Sequence, residues 1–261
     1  MKIAIYQVDA FTNERFKGNP AAVCPLAAWL PDAVMQHIAA ENNLAETAFI
    51  VPAGDRYEIR WFTPTVEVDL CGHATLASAY VLFYELGYAK DQINFHSPRS
   101  GPLTVSRNGS VLALNFPVDQ LIEIPVLPEH TMGLSQKPRA VFKGKTDYLF
   151  VYDSEAEIRA LHPDFEALKI HPVRGIIVTA PGEKTDFVSR FFGPACGVNE
   201  DPVTGSAHTT LTPYWASVLG KTELTARQLS QRTGDLTCKL MGDRVEIAGE
   251  AVLYLRGEIE I

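Results

Sequence analysis

The sequence predicts an α+β protein of two pseudo-symmetric domains, each a mixed, largely antiparallel sheet wrapped around one central buried helix. Three observations carry this expectation. The chain contains an internal repeat: EIRWFTP at 58–64 answers VSRFFGP at 188–194, and CGHATLASAYVLFYELG at 71–87 answers TGSAHTTLTPYWASVLG at 204–220. Both repeated helical segments are apolar on nearly every face, which marks a helix enclosed by protein rather than one lying on a surface. The surrounding chain consists of short apolar or alternating runs broken by Gly, Pro and Asn, the pattern of many strands joined by turns.

The elements follow in order. KIAIYQVDAF reads as an opening strand, and LPDAVMQHIAAENN (30–43) as an outer amphipathic helix with Pro31 and Asp32 at its start. AETAFIVP and YEIRWFT are strands that lead, through the acidic loop TVEVDL, into the first central helix. That helix ends at Gly87 and its counterpart at Gly220, where a left-handed C-terminal residue favours glycine. GPLTVSR and SVLALNFP complete the first half, and the boundary is expected in the proline-bearing stretch VDQLIEIPVLPEH (118–130). In the second half DYLFVYD, GIIVTAP and FVSRFF are strands, and SEAEIRALHPDFEALK (154–169) reads as a counterpart of the first outer helix. Pro213 is expected to kink the second central helix or to sit near its start. LTCKLM, DRVEIAG and AVLYLRGEIEI are closing strands. The offset between copies grows from 130 to 133 residues, so the loop ACGVNEDPV before the second helix is three residues longer than its partner.

Composition narrows the function classes. The net charge of -8 and the lack of any Lys/Arg-rich stretch argue against a nucleic-acid partner. The N-terminal apolar run reaches an Asp by position 9, too short and polar for a membrane span or signal segment, so a cytoplasmic protein is expected. The four cysteines are widely spaced and the seven histidines form no metal-ligand run, so neither a disulfide framework nor a metal site is indicated.

The candidate chemistry gathers at the two helix starts. Gly72 and Gly205 open the helices, where unpaired N–H groups and the positive dipole end suit an anion, and facing turns would grip a small carboxylate substrate. His73 and Ser206 follow at equivalent positions as hydrogen-bond donors; a purely structural alternative makes them local caps. Asp201, in the longer loop, is expected to hold a substrate amine or hydroxyl, whereas Asp69 reads as a dipole partner. Glu46 stands at the start of an apolar strand, a setting that raises a carboxyl pKa and suits acid/base work. Cys71 sits where the helix dipole lowers a thiol pKa, although its counterpart is Thr204 and a small buried residue is the plainer reading. His208, one turn into the second helix, is as consistent with the core as with a ligand contact.

The segments YQVDAFTNERFKGNPAAVCPL, NLAETAFIVP, IRWFTPTVEVDLCGHATLASAYVLF and RFFGPACGVNEDPVTGSAH closely resemble the phenazine-biosynthesis PhzF-like proteins over essentially the whole chain. The resemblance implies a diaminopimelate epimerase-like fold whose last strand, about 250–261, returns to the first domain, giving domains 1–118 plus that strand and 119–249. It further implies Glu46 as the acid/base, Asn19, Gly72, His73, Asp201, Gly205 and Ser206 as substrate-binding residues, and a homodimer without cofactor or metal. The founding member isomerises trans-2,3-dihydro-3-hydroxyanthranilate by moving a proton across its ring. The epimerase branch uses two opposed thiols, and Cys71 against Thr204 breaks that pair, so isomerisation by one carboxylate is the expectation. The rivals are a Cys71-dependent dehydratase or epimerase-type enzyme on an amino acid, and a non-catalytic small-molecule binding or interaction protein.

Overall fold

The computed structural model describes all residues, 1–261. The chain forms two compact units, Met1–Asn115 with Ala248–Ile261, and Phe116–Ile247. In the first, the strands are β1 (Lys2–Ala10), β2 (Asn19–Pro25), β3 (Glu46–Ala53), β4 (Arg56–Phe62), β5 (Glu67–Val68), β6 (Gln92–Ser97), β7 (Gly101–Asn108) and β8 (Val111–Pro117), which runs into the boundary. Pairing is antiparallel for β1 with β2, parallel for β2 with β3, antiparallel for β3 with β4, parallel for β4 with β6, then antiparallel to β7 and β8. The C-terminal strand Ala251–Glu260 lies antiparallel along the other edge of β1.

Strand alternation sorts the side chains of this sheet onto two faces. Ala22, Cys24, Phe49, Val51 and Phe62 point outward and pack with Met35, Ile38 and Ala39 of the outer helix α1 (Asp32–Asn42). The opposite face receives α2 (Gly72–Tyr80), in which His73 through Ala79 are all buried, as a helix apolar on every side requires. Helix α2 continues as a π-helical turn over Val81–Glu85, and the chain reverses at Gly87 with φ +69°, a left-handed conformation that glycine adopts without steric cost.

The second unit repeats the order. Its strands are β9 (Ile122–Ile124), β10 (Ala140–Lys143), β11 (Asp147–Val151), β12 (Gly175–Pro181), β13 (Phe187–Phe192), β14 (Glu223–Gln228), β15 (Gly234–Met241) and β16 (Arg244–Gly249). From β11 to β15 the pairing runs parallel, antiparallel, parallel, antiparallel, the same series as from β2 through β3, β4 and β6 to β7. The segment expected as one outer helix at 154–169 is two, α3 (Glu155–Ala160) and α4 (Phe165–Leu168). Pro163 explains the break: the residue before a proline is pushed out of the helical region, and Asp164 then starts a new helix by accepting from the N–H groups of Glu166 and Ala167.

The central helix of this unit, α5 (Gly205–Leu219), runs through Pro213 as one element. Proline cannot donate to the carbonyl four residues earlier, Thr209, and that oxygen instead accepts from the Asp119 N–H at 3.2 Å. Trp215 is buried, stacks on Phe187 with ring centroids 5.8 Å apart, and donates its indole N–H to Thr179 Oγ1. The helix is enclosed less fully than its composition suggested, because Val218 and Leu219 in the last turn are exposed.

Candidate active site

In the first unit, parallel pairing of β2 with β3 sets Ala21 opposite Glu46 and so brings Asn19, at the start of β2, near the first residue of β3. Helix α2 begins beneath them. His73 joins the three: its Nε2 is 3.1 Å from Glu46 Oε2, and its Nδ1 is 3.2 Å from the Asn19 side-chain amide and 3.5 Å from Cys71 Sγ. The imidazole is buried, while the Glu46 side chain keeps 17% of its surface accessible. Burial alone would lower the His73 pKa, but the adjacent Cys71 and Glu46 outweigh it and raise the imidazole well above its usual value. The Glu46 carboxylate approaches this imidazole through Oε2.

Cys71 fits the plainer of its two sequence readings, a small buried residue: burial, reinforced by the Glu46 charge and opposed by His73, pushes the thiol up to about 11 rather than down as the helix dipole alone would. It is a neutral thiol near pH 7. Glu46, Cys71 and His73 offer three ligand atoms of the type that bind zinc. The thiol lies 3.5 Å from Nδ1 and the carboxylate 3.1 Å from Nε2, on the two nitrogens of one imidazole.

A second constellation occupies the equivalent place in the second unit. Thr204 donates its hydroxyl to Asp201 Oδ2 at 2.6 Å. The Gln228 amide accepts from the Thr204 N–H at 2.9 Å and donates to the Asp201 carbonyl at 2.7 Å and to Thr204 Oγ1 at 3.2 Å. Ser206, one residue into α5, accepts from Arg174 Nη2 at 3.0 Å, and Arg174 is also bidentate to the buried Asp147. Neither His73 nor Ser206 is a helix cap, and the cap residues Cys71 and Thr204 make no side-chain capping bond. The N-terminal N–H groups of both helices are thus not closed off by a cap side chain.

The residues expected at the site assemble in two sets: Asn19, Glu46, Cys71, Gly72 and His73 in the first unit, and Asp201, Thr204, Gly205 and Ser206 in the second. Asp69 lies outside, ion-paired with Arg99 on the surface. His208 is wholly buried in α5, with Nδ1 2.8 Å from the Thr204 carbonyl. Sequence reasoning missed Arg174, Asp147 and Gln228. One signal for Arg174 was present, because it precedes the apolar strand GIIVTAP much as Glu46 heads the apolar strand ETAFIVP.

The chain is similar to known proteins along its length. The family described as phenazine biosynthesis-like protein, PhzC–PhzF, matches residues 8–257. An uncharacterized isomerase of Pseudomonas aeruginosa is 52% identical over 261 residues, covering 100% of both chains. A crystal structure of a phenazine biosynthesis protein of the PhzF family from Enterococcus faecalis superposes with a TM-score of 0.97 at 49% identity, covering 100% of each chain. A probable proline racemase from Agrobacterium radiobacter has the same fold at 11% identity, with a TM-score of 0.64 over 99% of this chain and 92% of that one.

Proposed function

This chain belongs to the phenazine biosynthesis-like (PhzF) family and is an isomerase, and from that premise we propose that it moves a proton on a small carboxylate-bearing substrate with Glu46 as the acid/base. The substrate class is a cyclic amino acid of the dihydro-hydroxyanthranilate type. The observation that carries the reading is the Glu46–His73 pair at the start of α2, 3.1 Å apart, with the carboxylate still reachable from solvent. The pairing engages Oε2 and leaves Oε1 to accept a proton from carbon and return it at another carbon on the same face. The His73 imidazole beside it orients the carboxylate. Asn19 lies against the other imidazole nitrogen, its side-chain amide 3.2 Å from Nδ1.

A positioned acid/base is worth about 10²–10⁴ in rate. In deuterated water with a cyclic amino-acid substrate of this class, Glu46→Gln should therefore incorporate solvent deuterium at least about a hundredfold more slowly than the wild type. Exchange at the wild-type rate would sink the assignment. A second reading has one observation in its favour, the 3.5 Å approach of Cys71 Sγ to His73 Nδ1. It makes Cys71 the base of an elimination or epimerisation, and the raised thiol pKa weighs against it at neutral pH.

A further inference from the structure

Buried ionisable groups are satisfied by hydrogen bonds, by a counter-charge or by a metal ion. At the start of α2 two such atoms lack the first of these. Glu46 Oε2 and His73 Nε2 are both shielded from solvent and 3.1 Å apart, yet they are not aligned for a hydrogen bond and neither atom makes one elsewhere. Cys71 Sγ is beside them, so that a carboxylate oxygen, an imidazole nitrogen and a sulfur all lie within 4.8 Å of one another.

The spacing suits a tetrahedral ion. Zinc bonds of about 2.0–2.3 Å set neighbouring donor atoms about 3.3–3.6 Å apart. The Glu46–His73 separation is already close to that value, and a movement of about 1 Å by the Cys71 side chain would bring the sulfur to the same centre. The donor set selects among ions, because a thiolate and an imidazole favour zinc over the oxygen-seeking magnesium and calcium. Charge closes as well: a thiolate, a carboxylate and a neutral imidazole balance a dication, which a buried setting requires. Asn19, with its amide 3.2 Å from Nδ1, supplies the outer contact that fixes the ring of a ligating histidine. The second copy of the repeat carries Thr204 and Ser206 where the first carries Cys71 and His73, so this donor set belongs to the first unit alone.

We propose that Glu46, Cys71 and His73 form a binding site for a divalent cation of the zinc class, and, resting on the proton-transfer reading above, that the ion inhibits the enzyme. Binding releases the Cys71 thiol proton to solvent and gives zinc a thiolate ligand. It also engages the carboxylate that moves the substrate proton, so an occupied site holds the acid/base out of the reaction. The Glu46 side chain, 17% accessible, is the route by which the ion enters and leaves.

The test uses the full-length protein, freed of metal with EDTA and titrated with Zn²⁺ and with Mg²⁺ by calorimetry. Co²⁺ is added in a parallel spectroscopic titration, in which a thiolate ligand gives an intense near-ultraviolet charge-transfer band. One Zn²⁺ should bind per chain, Mg²⁺ should give no binding, and the cobalt band should vanish in Cys71→Ala. Cys71→Ala and Glu46→Gln should each weaken Zn²⁺ by at least about tenfold, the smaller loss seen when even an outer partner of a metal site is removed. Cys196→Ala, which removes the exposed thiol, should leave Zn²⁺ binding unchanged. No Zn²⁺ binding, binding that survives both first-unit variants, or binding that disappears with Cys196 would overturn the site. In the deuterium-exchange assay, bound Zn²⁺ should slow the wild type about a hundredfold or more, with EDTA restoring the rate. Zn²⁺ held by these residues with exchange undiminished would overturn the inhibitory role and count against Glu46 as the acid/base. The Glu46→Gln exchange rate is measured without metal, so failure of the zinc site and failure of the proton-transfer reading are separately visible.

Discussion

His208 and His73 are both buried histidines on central helices, and their surroundings shift their pKa values in opposite directions. Around His208 burial dominates and lowers the pKa to about 4; the imidazole is neutral, with Nδ1 2.8 Å from the Thr204 carbonyl and Nε2 without a partner. A folded-state pKa below the unfolded 6.5 gives stability that is present above pH 6.5 and lost as pH falls toward 4, by up to about 3 kcal/mol. Urea unfolding from pH 7 to pH 4 should show this loss, and His208→Gln should flatten it; an unchanged slope in the variant would place the acid sensitivity elsewhere. His73 has the opposite sign: its raised value gives stability that is full below 6.5 and lost as pH climbs through the folded value. At this scale much of the site was legible, because Glu46 and His73 sit in local patterns, a carboxylate heading an apolar strand and a polar residue inside an apolar helix start. Arg174 and Gln228 were not, since their partners Ser206 and Thr204 lie 32 and 24 residues away and meet them only through strand pairing. The rise of the Cys71 pKa was hidden for a related reason: the dipole is visible in sequence, whereas the depth of burial that overrides it is not.

Each unit also holds its loop before the central helix with an arginine from the aromatic strand. Arg60 is bidentate to Glu67, and Arg190 is bidentate to Glu200 while Nη1 donates to the carbonyls of Ile158 and Leu161. The side chains of Arg190 and Glu200 are 11% and 20% exposed, so removing the guanidinium strands a shielded carboxylate and two carbonyls. Arg190→Met should destabilise the protein by about 2–4 kcal/mol. Arg56→Met, which breaks a more exposed pair to Glu58 at 3.4 Å, should cost about 0.5 kcal/mol or less. Comparable midpoints for the two variants in chemical denaturation would contradict the anchoring role. The repeat made these arginines visible as equivalent positions, but not their Glu partners, which follow 7 residues later in one copy and 10 in the other. The two prolines act differently. Pro163 divides a segment whose amphipathic pattern looked continuous, and Pro213 leaves α5 unbroken because the Asp119 N–H serves the carbonyl it orphans.

At the scale of the molecule, the C-terminal strand closes the first sheet against β1, from Lys2 opposite Glu260 to Ala10 opposite Ala251. Removing residues 251–261 would expose the backbone of a long edge strand, and exposed edges drive association. The truncated chain should accumulate as aggregate, and a soluble product melting at the wild-type temperature would refute the role given to the strand. The whole-fold pattern was readable because a doubled sequence implies a doubled unit. The same doubling misled about chemistry, since the first copy pairs Glu46 with His73 at its helix start whereas the second pairs Arg174 with Ser206. The claim at the centre of this account is that one carboxylate, Glu46, both removes and returns the migrating proton. It is tested most directly by isomerising a substrate deuterated at the migrating position in ordinary water and weighing the product by mass spectrometry. Part of the product should retain deuterium, in the wild type and in Cys71→Ala alike. Product free of deuterium from the first turnovers, with turnover abolished in Cys71→Ala, would assign the proton to two groups and contradict the claim.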